Sequence, residues 1–168
     1  MLGEDQSRNC KYICYQWCPN VDRDDAFEVV LTLAGTENAY AKRIRRNYGD
    51  LSNITFAGRL ARNRVFDYYR SSDCLIFASR LETWGLTITE FKATGRPMLL
   101  ADYPYAHETA GSYEPVAFFD PDDERQLAEL MLAVISGTFR PADRPAPSPI
   151  APPYAASWSE LWTMILDA

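Results

Sequence analysis

Cys74-Leu75-Ile76-Phe77-Ala78-Ser79-Arg80-Leu81-Glu82-Thr83-Trp84-Gly85-Leu86-Thr87-Ile88-Thr89-Glu90-Phe91-Lys92-Ala93-Thr94-Gly95 is the stretch on which the fold turns. Its first five residues are an unbroken apolar run, which reads as a strand buried on both faces. A loop carrying Glu82 follows and ends at Gly85, where a missing Cβ is expected to let another molecule approach the backbone. The helix then begins with its amides unpaired and its dipole positive outward, a setting that suits an anion. Strand, loop and helix in this order form the unit at which α/β proteins bind ligands. Glu90 lies about one turn into the helix, so Glu82 and Glu90 are expected to face one crevice from different elements.

Working outward, short apolar strands alternate with helical patterns. Residues 27 to 33, 53 to 57, 97 to 101 and 116 to 119 read as strands. Between them, Tyr40, Ile44 and Tyr48 mark the inner face of one helix, capped by Thr36 or Asn38. Asn63 is expected to cap a second helix, with Val65, Phe66 and Tyr69 inward. Asp122 or Asp123 caps a third, whose Leu127, Leu130, Met131, Val134 and Ile135 hold a helical stripe. The alternation predicts an α/β fold, a doubly wound parallel sheet with helices on both faces. Arg59, directly after Gly58, is expected at the carboxyl end of its strand, the ligand-binding edge of such sheets.

Nearer the N-terminus, Cys10, Ile13, Cys14, Trp17 and Cys18 recur at helical spacing, so residues 8 to 18 are expected to form a helix ended by Pro19. A zinc reading of the three cysteines is the weaker one, because zinc sites favour close pairs and no histidine lies near. Cys74 reads as packing. His107 is the only histidine; with no Ser or Cys nucleophile beside it, it is expected to be satisfied by Glu108 or backbone. From Arg140 to Pro153 prolines crowd an extended crossing segment, and Ser157-Trp158-Ser159-Glu160 is a capping box that opens a last helix with Trp158, Leu161, Trp162 and Ile165 as its stripe.

The chain has 168 residues, a net charge of −6 and 47% hydrophobic residues, which fits a globular domain and argues against a nucleic-acid partner. No run of about 18 apolar residues exists, so no transmembrane helix is expected. The N-terminus lacks a signal-peptide pattern, so the expected location is cytoplasmic with reduced thiols. Lys42, Arg43, Arg45 and Arg46 read as a solvated helix face, with association at the inner face of a membrane as the further option. There is no G-x-G-x-x-G, no G-x-x-x-x-G-K-[ST] and no G-x-S-x-G.

Glu82-Thr83-Trp84-Gly85-Leu86 with Glu90 resembles the E-x7-E signature of the family 4 retaining glycosyltransferases with the GT-B fold. Asn53-Ile54-Thr55-Phe56-Ala57-Gly58-Arg59 is similar to the family's "I-x-F-x-G" strand, and Ser72-Asp73-Cys74-Leu75-Ile76-Phe77-Ala78-Ser79 to its "SDxxIFPS". Gly95-Arg96-Pro97-Met98-Leu99-Leu100-Ala101-Asp102 and Phe118-Phe119-Asp120-Pro121 resemble its "GxPVVxxD" and "xFDP". Gly35-Thr36-Glu37-Asn38 and Pro104-Tyr105-Ala106-His107-Glu108-Thr109 resemble bacterial surface-polysaccharide transferases. The likeness runs in order over residues 27 to 136.

The resemblance implies the C-terminal, donor-binding half of a GT-B enzyme. It divides the chain into a nucleotide-sugar-binding Rossmann-like domain over 1–139, a Pro-rich crossing over 140–156 and a C-terminal helix over 157–168. It implies transfer of a hexose, with retention, from a UDP- or GDP-linked sugar to a glycan or lipid-linked acceptor, with no metal and no other cofactor. Glu90 would hold the ribose hydroxyls. Glu82, with Thr83, Trp84, Gly85, Leu86 and Ser79, would orient sugar and phosphate, Gly58 and Arg59 would line the base pocket, and Arg8 would stand in for the lysine that grips the diphosphate. The sheet's first strand is expected to be missing, and an acceptor-binding N-terminal domain or subunit is the implied partner. The alternative is a catalytically incompetent nucleotide-sugar-binding or interaction domain, a truncated remnant.

Overall fold

The computed structural model describes residues 13–17, 27–141, 155 and 157–167. Six strands form one sheet in the order β3-β2-β1-β4-β5-β6: β1 is Ile13–Trp17, β2 Phe27–Leu31, β3 Ile54–Phe56, β4 Cys74–Phe77, β5 Met98–Ala101 and β6 Val116–Phe119. The helices are α1 Ala39–Tyr48, α2 Arg62–Ser71, α3 Leu86–Phe91, α4 Pro104–Ala110, α5 Glu124–Ile135 and α6 Trp158–Leu166. The β2–β3, β4–β5 and β5–β6 pairs are parallel, whereas β1 is antiparallel to both its neighbours.

β1 corrects two expectations. Ile13–Trp17 is a strand, not part of a helix over 8–18, and it fills the place in the sheet that was expected to be empty. The physical reason is the ladder. β2 and β4 are not paired to each other, so the facing amides and carbonyls of each need a partner strand, and β1 supplies one to both. Aromatic and β-branched residues in Ile13-Cys14-Tyr15-Gln16-Trp17 suit a strand, and the four-residue spacing of three cysteines does not outweigh a non-local demand. Cys10, Cys18 and Arg8 lie outside the described residues.

Side chains alternate across the sheet and build two apolar layers. Ile76, Leu99, Ala117 and Phe119 face α1 and α5, whose Ile44 and Leu127 join the same cluster. Leu75, Phe77, Met98, Leu100 and Val116 face α2, α3 and α4 through Tyr69, Ile88, Phe91, Ala106 and Ala110. The sheet is thus wound on both faces, as the sequence pattern predicts. On the first face a groove of about 310 Å³ remains between α1 and α5, floored by Phe27, Val29, Leu31 and Ile76.

Asn38 caps α1, its side chain accepting from the Ala41 amide at 2.9 Å, and Asp123 caps α5. Asn63 does not cap α2; the helix starts at Arg62 with Ala61 at the cap position and no side-chain cap bond. Ser157 caps α6 by accepting from the Glu160 amide at 3.2 Å, and Trp158, Trp162 and Ile165 are exposed on that helix. Most of the Pro-rich segment lies outside the described residues. No helix among the described residues is long and apolar enough to cross a membrane.

Leu99 is fully buried at the centre of β5. Leu99→Ala is expected to lower stability by about 3 kcal/mol through lost burial and the cavity left behind. Urea denaturation checks this as a lower midpoint with an unchanged slope.

Candidate functional site

Because β2 to β6 all point one way, the loops after them gather on one edge of the sheet. This is the edge at which α/β sheets bind ligands. β1 starts there too, since Ile13 pairs with Leu31 and Ile76, the late residues of β2 and β4.

The loop after β4 is held from both sides. Ser79 is buried, and its hydroxyl donates to the Leu81 carbonyl at 2.8 Å. The Tyr105 hydroxyl on α4 donates to the Ser79 carbonyl. Arg80 pairs with Asp122 in the loop after β6. Burial pushes the Tyr105 phenol well above its usual pKa, and the nearby Glu82 and Tyr103 push it in the same direction. The Glu82 carboxylate accepts from the Thr83 amide at 3.1 Å.

Gly85 caps α3 in the left-handed region, φ 66° and ψ 38°. A Cβ there would lie 2.9 Å from Thr109 Oγ1 and 3.0 Å from its Cγ2. The expectation that Gly85 makes room for another molecule is corrected: the space is taken by α4 of the same chain, so helix packing and the positive φ both demand glycine. Among the described residues, no hydrogen-bond acceptor engages the amides of Trp84, Gly85 or Leu86. Around them Leu81, Trp84 and Leu86 are 85%, 73% and 57% exposed, an apolar rim at the mouth of the loop.

Glu90 faces the other way, towards α2. Arg62 Nη2 donates to its Oε1 at 2.7 Å, and the Tyr69 hydroxyl lies 3.5 Å from its Oε2. Glu82 and Glu90 share no hydrogen-bond partner among the described residues. Gly58 ends the β3 turn with φ 68°, its amide bonded to the Leu33 carbonyl at 3.1 Å. Arg59 is exposed beside it and forms no ion pair among the described residues. Arg62, Tyr69, Tyr105 and Thr109 carry the site's support without having been singled out as site residues. Arg62, Phe66 and Tyr69 at i, i+4 and i+7 on one helix face is the signal that could have shown the first two.

Two further local features bear on this edge. His107 is not satisfied by Glu108; its Nε2 lies 2.6 Å from Asp102 Oδ1 and its ring stacks on Phe118. Glu37 folds back so that its carboxylate accepts from the amides of Ala34, Gly35 and Thr36 at 2.6, 2.9 and 2.9 Å. Those amides, Ala34's foremost, hold its pKa below the usual 4.5.

A six-stranded α/β sheet with loops gathered at its carboxyl edge defines a ligand-binding domain of Rossmann-like type. Residues 15–145 match the family model for glycosyl transferases group 1, so the chain belongs to that family. It is 24% identical over 149 residues to alpha-monoglucosyldiacylglycerol synthase of Streptococcus pneumoniae, covering 79% of this chain and 34% of that protein. Mannosylfructose-phosphate synthase of Agrobacterium fabrum is 26% identical over 95 residues, 56% of this chain and 21% of that protein. Sucrose-phosphate synthase from Thermosynechococcus elongatus has a similar fold, with a TM-score of 0.54 and 21% identity over 65% of this chain and 29% of that one. The chain spans about a third or less of the length of the relatives it matches.

Gly85→Ala is expected to cost about 2 kcal/mol, from the left-handed backbone and the overlap with Thr109. Adding Thr109→Ala should return the overlap part only, which a double-mutant denaturation series reads directly. The depressed pKa of folded Glu37 means that its bonds add stability above the unfolded value and lose it as pH falls through the folded one. Thermal midpoints of the parent and Glu37→Gln chains should therefore differ at neutral pH and converge as the pH is taken below 4.5.

Proposed function

We propose that this chain is the donor-binding half of a family 4 retaining glycosyltransferase, moving a hexose from a UDP- or GDP-linked donor to a glycan or lipid-linked acceptor. The observation that carries the reading is the β4 loop: three amides with no acceptor among the described residues, at a helix start, with the Glu90 carboxylate about one turn further on and held from α2. Those amides suit the phosphate oxygens of a nucleoside diphosphate. Glu90 has acceptor capacity left for the vicinal hydroxyls of a ribose, since a carboxylate offers about four acceptor positions and two are taken. Gly58 and Arg59 would border the base, while Ser79 and Thr83 would shape the turn that presents Glu82 to the sugar.

In this reading the bond from the anomeric carbon to the diphosphate oxygen breaks as the acceptor hydroxyl attacks from the same face, forming the new glycosidic bond and passing its proton to the departing diphosphate oxygen. The amides of Trp84, Gly85 and Leu86 stabilise charge on the departing oxygen, each preorganised donor being worth about 3 kcal/mol of barrier. No metal is called on. Acceptor binding belongs to an N-terminal domain or subunit, and the exposed rim of Leu81, Trp84 and Leu86 is the surface it would close on. The relative named for a glucosyl-diacylglycerol product supports a hexosyl donor and a lipid-borne acceptor, and the two named for sugar phosphates support a sugar acceptor. The surface-polysaccharide assignment rests on the motif words around Gly35 and Pro104. The exposed cations of α1 support work at the cytoplasmic face of a membrane.

One observation favours the second reading, a nucleotide-sugar-binding domain without catalysis. Ile13–Trp17 is an antiparallel strand and not part of the helix expected over 8–18, and Arg8 lies outside the described residues.

Calorimetric titration of UDP, GDP and ADP, with Glu90→Ala beside the parent chain, tests the donor site. One nucleotide is expected to saturate, and Glu90→Ala to weaken it at least tenfold, the loss of hydrogen bonds to a charged acceptor. No heat from a folded parent chain would contradict the reading.

A further inference from the structure

We propose that Arg62 and Tyr69 are positioning residues that set the Glu90 carboxylate for a vicinal diol, and so give the site its preference for ribonucleotides over 2′-deoxyribonucleotides. The inference rests on the donor-site reading of Glu90.

Glu90 meets two donors from the same face of α2: Arg62 at Oε1, 2.7 Å away, and Tyr69 at Oε2, 3.5 Å away. Each oxygen thereby has its own partner, the Arg62 bond short and the Tyr69 contact at the outer limit of a hydrogen bond, and the two together orient the carboxylate. Its side chain keeps 19% of its surface exposed, which leaves one side open to a ligand. The Arg62 side chain is 75% exposed and held by this pair and by Phe66, whereas Tyr69 is buried. The Arg62 guanidinium lies over the Phe66 ring, 5.4 Å from its centroid. Tyr69 is 2% exposed and packs edge-on between Phe66 and Phe91, with centroids 5.7 and 5.6 Å away. Phe91 is the residue after Glu90, so the aromatic row ties the carboxylate's own helix to α2.

A diol needs both oxygens presented in one orientation, whereas a single hydroxyl can be met by a carboxylate that swings. Without Arg62, Glu90 loses its charged partner and its orientation, and the second ribose hydroxyl loses its acceptor. The 2′-deoxy ligand never used that contact, so its affinity is unaffected. A residue that only stabilises the fold would move both affinities together.

The test compares the preferred nucleoside diphosphate with its 2′-deoxy counterpart by calorimetry on the parent chain, Glu90→Ala, Arg62→Met, Arg62→Lys and Tyr69→Phe, with the unfolding midpoint of each. The parent is expected to favour the ribose form about tenfold, the worth of one hydrogen bond to a charged group. Arg62→Met and Glu90→Ala should bring the two affinities together, Tyr69→Phe should narrow the gap, and Arg62→Lys should keep part of it. Loss of the preference in Glu90→Ala but not in folded Arg62→Met or Tyr69→Phe would overturn the positioning role and leave the donor site standing. A preference that survives Glu90→Ala, or no saturable binding by the parent, would overturn the donor-site reading itself.

Discussion

The ladder that Ile13–Trp17 makes with Phe27–Leu31 on one side and Cys74–Phe77 on the other holds this molecule together. Three strands lie to one side of that central seam and two to the other, and β1 is their common partner. Each buried backbone group left unpaired in its absence would cost about 1–3 kcal/mol, enough in sum to part the sheet. An antiparallel strand satisfies the amides as well as a parallel one would. It also brings the start of β1 to the same edge as the ends of all the others.

That edge is useful only because α3 is fixed on it from two sides. Tyr105 and Thr109 of α4 hold the Ser79 carbonyl and fill the space above Gly85. Arg62 and Tyr69 of α2 hold Glu90. Between these clamps the loop presents amides with no acceptor among the described residues and an apolar rim. In the proposed reading this arrangement meets an anion and a diol at low reorganisation cost, since the groups are already placed before the ligand arrives. The chain is a member of the glycosyl transferases group 1 family, and it spans a minor part of the relatives it matches. Leu81, Trp84 and Leu86 leave an exposed apolar rim at the mouth of the loop.

Much of this was legible in the sequence. The run Cys74–Phe77, the glycine at 85 and the apolar period of 127–135 fixed strand, turn and helix, because each depends on local backbone preference and a repeat of two or 3.6. The family words added the Rossmann-like class of the sheet. What failed was non-local. A four-residue cysteine spacing over 10–18 reads as a helix until the gap between β2 and β4 is seen to need a strand. Gly85 reads as an opening for a ligand until Thr109, more than twenty residues on, is found in the space. His107 finds Asp102, five residues back across the strand end, and not its neighbour Glu108. Arg62 could not be tied to Glu90 from spacing, since the two meet only when α2 and α3 pack side by side.

The central claim is that a nucleoside diphosphate binds at the amides following β4. It is tested most directly by following backbone amide resonances of the isotopically labelled chain during a nucleotide titration. The account predicts that the Trp84, Gly85 and Leu86 amides move furthest and saturate together, with Arg59 and Glu90 following and the groove between α1 and α5 unmoved. Saturating shifts confined to that groove or to α6, with residues 84–86 still, would contradict it.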